Sequence, residues 1–186
     1  MKSNIVKITI GGLSGSGKSS LGRSLAERLG FSFISSGDLF RQEAKKRGIS
    51  LLAMEELVKT NPDIDRAIEA GVKSYGETHS GFVFDGRLAW YSVPDSFKIR
   101  VISTDEVRVE RIRLRESSNR GSAVSFEDAA KETSIREERM REQYNKLYGV
   151  EDYMDPSHFD FTIDTTGMSI EGSVNAVLAK IAEVSQ

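Results

Sequence analysis

Residues 11–20 read GGLSGSGKSS, four glycines and four serines around a single lysine. The stretch lies between a strand-like run, Ile5 to Ile10, and a run in which Leu21, Leu25 and Leu29 recur at helical spacing. A strand that must turn into a helix through such flexible composition constrains the fold strongly. Side chains are scarce there because the backbone itself is the binding group. Some residues must take positive φ, and successive N–H groups must converge on one point. The helix that follows aims the positive end of its dipole at the same point. A dense anion suits such a cradle.

Gly12 to Ser19 also fits G-x-x-x-x-G-K-[ST], the P-loop spacing. In that pattern the lysine puts a point charge on the β- and γ-phosphates, and the following hydroxyl serves a Mg²⁺ ion. Gly12, Ser14, Gly15, Ser16, Gly17, Lys18, Ser19 and Ser20 are therefore the candidate phosphate-holding residues. Lys18 is the catalytic candidate among them and Ser19 the metal ligand. ATP and Mg²⁺ are the expected cofactors.

Further strand-like runs are FSFI at 31–34, FVFD at 82–85, KIRVIS at 98–103 and FDFTID at 159–164. Ser35 with Asp38, Ser103 with Glu106, and Ser125 with Asp128 have capping-box spacing and predict helix starts. Ser50 and Asn61-Pro62 mark two more, with Pro62 at the first helical position. Gly30 and Gly48 are stops. SSNRGSAV at 117–124 reads as a mobile loop before a helix that runs to about Tyr148. Ile170, Val174, Val177, Leu178 and Ile181 stripe the last helix. This alternation predicts an α/β fold: a doubly wound, five-stranded parallel sheet covered by helices on both faces. Ligands of such sheets sit at the carboxyl ends of the strands. Asp85, ending FVFD, is placed there to hold Mg²⁺ through water.

Composition removes other classes. The chain has 186 residues and reads as one domain, expected to be a monomer. No cysteine is present, which excludes disulfides and thiolate metal sites. The histidines, His79 and His158, are isolated and assigned no catalytic part. A net charge of −2 gives no overall pull towards nucleic acid or membrane, and KKR at 45–47 reads as a solvated helix end. No apolar run approaches the roughly 20 residues of a membrane helix. The N-terminus lacks a secretory apolar segment, so the expected location is the cytoplasm.

SSGDLFR at 35–41, FDGRLAW at 84–90 and SIREERMREQY at 134–144 follow the P-loop in order. With these segments the chain resembles the nucleoside monophosphate kinases of the P-loop superfamily, in particular the compact, archaeal-type cytidylate kinases. The resemblance is collinear over nearly the whole chain. It implies a core at 1–34, 79–116 and 149–186, a helical monophosphate-binding insertion at about 35–78, and a lid at about 117–148. Ser36 and Arg41 match the family's S-G-x-x-[FY]-R pattern, and Asp85 to Arg87 its [DE]-G-R, both implied to bind the acceptor. NPDIDRAIE at 61–69 is similar to the family's D-P-x-I-D stretch, which implies Asp65 as an acceptor-site residue. REE at 136–138 is similar to the lid helix, with Arg136 and Arg139 as candidate catalytic arginines beside Arg87. There are departures. Leu88 stands where larger bacterial members have a second aspartate, and Arg139 stands where compact members have serine. Adenylate kinases share a similar SSGDLFR segment but read D-G-[FY]-P-R at the third strand, unlike this chain.

The implied activity is ATP-dependent phosphorylation of a nucleoside monophosphate, CMP or dCMP, to the diphosphate. The chemistry of the residues agrees. Two anionic phosphates must be brought in line, and guanidinium groups grip phosphate bidentately while keeping their charge. The alternatives are an adenylate-kinase-like or other small-metabolite kinase, for dephospho-CoA or a sugar acid, and a nucleotide-binding module without turnover. A GTPase-type switch is disfavoured because NKLY at 145–148 lacks the aspartate of N-K-x-D. Some side chains keep two readings. Arg108, Arg111, Arg113 and Arg115 either lead into the lid or pair with Glu106, Glu110 and Glu116. Trp90 either borders the acceptor pocket or anchors the core. Asp63, Asp65 and Arg66 either line the base pocket or serve the first turn of a helix.

Overall fold

The structure, a computed structural model, describes residues 5–185, the side chains of residues 51, 52, 55 and 59 excepted. Met1 to Asn4 and Gln186 lie outside the described residues. Five parallel strands form one sheet in the order β2-β3-β1-β4-β5. They are β1 (Lys7–Gly12), β2 (Ser32–Ser35), β3 (Phe82–Asp85), β4 (Phe97–Ile102) and β5 (Phe161–Asp164). The helices are α1 (Lys18–Leu29), α2 (Ser36–Lys46), α3 (Leu51–Thr60), α4 (Asp63–Thr78), α5 (Ala89–Ser92), α6 (Asp105–Arg120), α7 (Phe126–Tyr148) and α8 (Ile170–Val184). A 3₁₀ turn at Pro156–His158 precedes β5. The expected doubly wound parallel sheet is thus found.

The middle strands are apolar on both faces because helices cover both. On one face Ile8, Ile10, Val83, Ile99 and Val101 pack against Leu21 and Leu25 of α1 and Val174, Val177 and Ile181 of α8. On the other, Phe82 and Phe84 pack against Val72, Ala89 and Val93. Pairing of Ile10 with Asp85, Ser35 with Asp85, and Gly12 with Val101 brings the carboxyl ends of four strands level. The chain turns to opposite sides of β1 on going to β3 and β4, which opens a crevice at those ends.

Helix starts follow the capping signals. Ser35, Ser50 and Ser125 accept the N–H groups of Asp38, Ala53 and Asp128 at 3.0–3.1 Å. Ser103 does not cap α6. Its hydroxyl lies 3.2 Å from that of Thr166, which also accepts the Thr104 N–H, and Thr104 takes the cap position. Pro62 stands one place before α4 rather than inside it. The loop expected at 117–124 shrinks to a short turn, because α6 continues to Arg120. There Ser117 donates to the Arg113 carbonyl and accepts the Val124 N–H, folding the turn onto the helix. Leu88, Tyr144, Val150, Tyr153 and Met154 form a separate apolar cluster that joins α7 to the segment after β3. Among the described residues, no helix is long and apolar enough to cross a membrane.

Candidate active site

The loop between β1 and α1 is a cradle of main-chain amides. Gly15 and Gly17 have φ of 78° and 90°, and Gly17 caps α1. A Cβ on Gly15 would stand 2.3 Å from the Arg108 carbonyl oxygen, and one on Gly12 2.7 Å from the Val101 carbonyl. Glycine is therefore required at Gly15 twice over, by conformation and by space. Lys18 folds back across the loop, its Nζ 3.4 Å from the Leu13 carbonyl. Burial lowers its pKa to about 8; Asp85 opposes the shift, and Arg87, Arg115 and Arg136 add to it. Among the described residues Ser16 is fully buried with an unpartnered hydroxyl, and its carbonyl accepts from Thr165 at 2.7 Å. Ser20 borders a cavity described below.

Strand ends deliver the next groups. Ser19 donates its hydroxyl hydrogen to Asp85 Oδ2. Asp85 is 4% exposed, and its Oδ1 has no hydrogen-bond partner among the described residues. Arg87 reaches back and donates to the Ser14 hydroxyl at 3.0 Å, while its Nε is buried and has no partner among the described residues. Gly86 lets Ser36 close in, since a Cβ there would lie 2.4 Å from Ser36 Oγ. Arg41 curls back over Gly37 and binds Asp38 at 2.5 Å, a carboxylate also held by Arg23 and by the Ser35 hydroxyl. The Arg41 side chain remains 55% exposed.

Helices α6 and α7 close the other side. Arg108, 4% exposed, donates to both oxygens of Glu137 at 3.0–3.1 Å. The Glu137 carboxylate faces the Ser14 N–H; burial raises its pKa against the pull of Arg108 and Arg87. Arg111 donates to the carbonyls of Gly15 and Thr165, both at 3.2 Å. It lines a cavity of about 160 Å³ with Gly17, Ser20, Leu21, Thr165, Met168, Ile170 and Ser173. Arg136 is exposed on α7 within the field of Lys18, whereas Arg139 is exposed with no ion pair among the described residues.

Beyond Arg87, Asp65 accepts from Tyr148 at 3.1 Å and Glu69 accepts from Ser92 at 2.5 Å. Burial raises both carboxyl pKa values, that of Glu69 to about 7. Trp90 is an anchor: its indole donates to the Tyr153 carbonyl at 3.2 Å and stacks on His158 at 3.8 Å. His79 stacks on Tyr75.

The structure thus gathers Gly12, Ser14, Gly15, Ser16, Gly17, Lys18, Ser19, Asp85, Arg87 and Ser36 at the strand ends. It leaves Arg139 apart. Sequence reasoning singled out Arg108 and Arg111 only as members of a stripe, and it missed Glu137, Glu69, Ser92 and Tyr148. A strand-end loop, DTTG after β5, was the available signal for the Arg111 cavity.

Known proteins resemble this chain in sequence and in fold. Residues 7–167 match the model of the Cytidylate kinase-like family. A cytidylate kinase of Methanothrix thermoacetophila is 38% identical over 174 residues, covering 94% of this chain and 96% of that one. One of Pyrococcus abyssi is 37% identical over 183 residues, covering 97% and 96%. In solved structures, an uncharacterized protein from Eubacterium ventriosum superposes with TM-score 0.71 at 19% identity, covering 95% of this chain and 98% of that one. A shikimate kinase from Acinetobacter baumannii superposes at 0.65 with 18% identity, covering 97% and 95%. At such identity the structural likeness speaks for the fold alone. With a glycine-rich loop between its first strand and helix, an arginine set against that loop, and relatives alike along nearly their full length, the chain belongs to the Cytidylate kinase-like family.

Proposed function

We propose that the chain transfers the γ-phosphoryl group of ATP to CMP or dCMP, forming ADP and the cytidine diphosphate. One observation carries the reading: the Arg87 guanidinium lies 3.0 Å from Ser14 of the cradle, next to the Asp85–Ser19 pair. An acceptor phosphate gripped by Arg87 would meet the end of a triphosphate lying in the cradle. The acceptor oxygen is already anionic, so alignment and charge neutralisation supply the rate and no general base is needed.

Each group takes a part. Amides of Gly12 to Ser20 and Lys18 hold the donor phosphates, and the Arg111 cavity takes the adenine against the guanidinium plane. Arg41 and Ser36 on α2 complete the acceptor-phosphate grip, with Arg41 exchanging Asp38 for phosphate. Residues 35–78 serve as the monophosphate-binding insertion and 117–148 as the lid. Arg115 and Arg136 add positive charge at the reacting phosphates, and the lid excludes water.

The end of β3 fits a divalent cation. Asp85 Oδ1 is buried without a partner among the described residues, and the hydroxyl of Ser19 is bonded to the other oxygen of the same carboxylate. Among the described residues there is no group of three or more metal-binding side chains. That suits Mg²⁺, which takes one or two protein oxygens and completes its shell with phosphates and waters. Bound there by Ser19 and Asp85, it would neutralise charge on the phosphate oxygens.

The test is ADP release from ATP and Mg²⁺ with CMP, dCMP, UMP, AMP and non-nucleotide acceptors. Turnover that depends on CMP or dCMP supports the reading. Turnover only with non-nucleotide acceptors, or none, refutes it.

A further inference from the structure

We propose that Asp65 and Glu69 of α4, backed by Ser92 and Tyr148, read the amino edge of the acceptor base and select cytosine over uracil. The proposal rests on the function given above and names residues that set its specificity. Asp65 and Glu69 stand four apart and so share one face of α4. Three elements converge on them: α4 itself, Ser92 at the end of α5, and Tyr148 at the end of α7.

Place in the crevice comes from Tyr144. It is 7% exposed, packs in one apolar cluster with Leu13 of the cradle and with Leu88, which follows Arg87, and its ring centroid lies 6.3 Å from that of Tyr148, the donor to Asp65. Contacts therefore run from the cradle and the segment beside Arg87 through Tyr144 and Tyr148 to the acid pair. A donor triphosphate and a nucleoside monophosphate laid end to end would follow the same path from phosphates to base. Neither carboxyl has an ion-pair partner among the described residues, which an internal structural pair would have. Partly buried carboxyls without a cation are costly to the fold. They are suited to a ligand that brings hydrogen-bond donors.

Cytosine brings them. Its N4 amino group donates two hydrogens and its N3 accepts one. A protonated carboxyl can donate to N3 while its carbonyl oxygen accepts from N4, and a second carboxylate takes the other amino hydrogen. Uracil presents O4 in place of the amino group, so acceptor faces acceptor. A site built to hydrogen-bond one edge rejects the analogue that lacks it far better than a merely apolar pocket does. The raised pKa of Glu69 agrees, since it keeps a proton on this carboxyl near neutrality.

The experiment measures kcat/KM for CMP and UMP, and KM for ATP, in wild type, Glu69→Gln, Asp65→Asn and Tyr148→Phe. Thermal unfolding of each variant confirms the fold. The amide of Asn can donate to O4, so Asp65→Asn should lower the CMP-to-UMP preference by about tenfold or more, whereas the amide of Gln reproduces the donor and acceptor of a protonated carboxyl, so Glu69→Gln should keep it. Tyr148→Phe should change the KM for CMP, and the KM for ATP should be unchanged in all three variants. A folded Asp65→Asn protein that keeps the wild-type CMP-to-UMP ratio, or a folded Glu69→Gln protein that loses it, would overturn the proposal while leaving the kinase reading intact. Failure of the wild type to phosphorylate either nucleotide removes that reading, and the proposal with it.

Discussion

Replacing Glu69 by Gln should stabilise the protein, and the gain should grow with pH. Burial moves this carboxyl from an ordinary value of 4.5 to about 7. Between those values the unfolded chain has lost the proton and the folded chain keeps it. The folded state then binds more protons, so stability falls as pH rises through this window and the loss is complete above about 7. A shift of this size corresponds to at most about 3 kcal/mol at roughly 1.4 kcal/mol per unit. Partial exposure brings the expected loss to about 1–3 kcal/mol. Gln has no such penalty, and its carbonyl oxygen can still accept from Ser92. For a domain of this size each kcal/mol shifts Tm by about 2–4 °C. The Tm of Glu69→Gln minus that of wild type should therefore be near zero at pH 4.5. By pH 8 it should reach about 3–10 °C. Scanning calorimetry without nucleotide, at pH 5, 6, 7 and 8, measures it. Because both proteins keep Asp65, its contribution largely cancels. A Tm difference that is constant across this range, or largest at pH 5, would refute the reasoning.

Other consequences concern the cradle and its surroundings. Lys18 loses its charge above about 8 in the free protein. Polyphosphate binding should draw a proton back onto it, so calorimetric titration of ATP near pH 8 in buffers of different ionisation enthalpy should show proton uptake. The Lys18→Met variant should show none. Glu137→Ala would leave the buried Arg108 guanidinium without its bidentate partner. That should cost about 3 kcal/mol in urea unfolding, and Arg108→Met in the same chain should restore much of it. Arg87→Ala should raise the KM for CMP by about tenfold or more while ATP binding, by calorimetry, changes little. Loss of ATP affinity with an unaltered CMP KM would assign Arg87 to the donor instead.

Sequence disclosed the parts of this site that are local. The cradle was legible because its physics is written in consecutive residues, glycines where φ is positive and a lysine at the helix start. Arg87 and Asp85 were legible because a short apolar strand ends at them. Residues that become functional only by long-range meeting were not. Arg111 looks like any helix arginine until Thr165 and Gly15 are seen to hold it. Glu69, Ser92 and Tyr148 come from three helices and share no spacing. The same competition explains the errors of detail. Ser103 has good capping spacing, yet Thr166 from a distant loop engages both it and the next N–H. Ser117 to Val124 has loop composition, yet α6 runs on to Arg120, and the Ser117 hydroxyl, bonded to the Arg113 carbonyl and the Val124 N–H, folds the remaining turn onto it.

The central claim is that a triphosphate cradle and an acceptor-phosphate arginine face each other across a gap one phosphoryl group can cross. A single ligand that spans both sites tests it: adenosine and cytidine joined 5′ to 5′ by five phosphates, titrated calorimetrically against ATP and CMP. The joined ligand should bind at least about 100-fold tighter than either nucleotide alone, with most of the gain lost in Arg87→Ala. Binding no tighter than ATP, or a gain indifferent to Arg87, would contradict it.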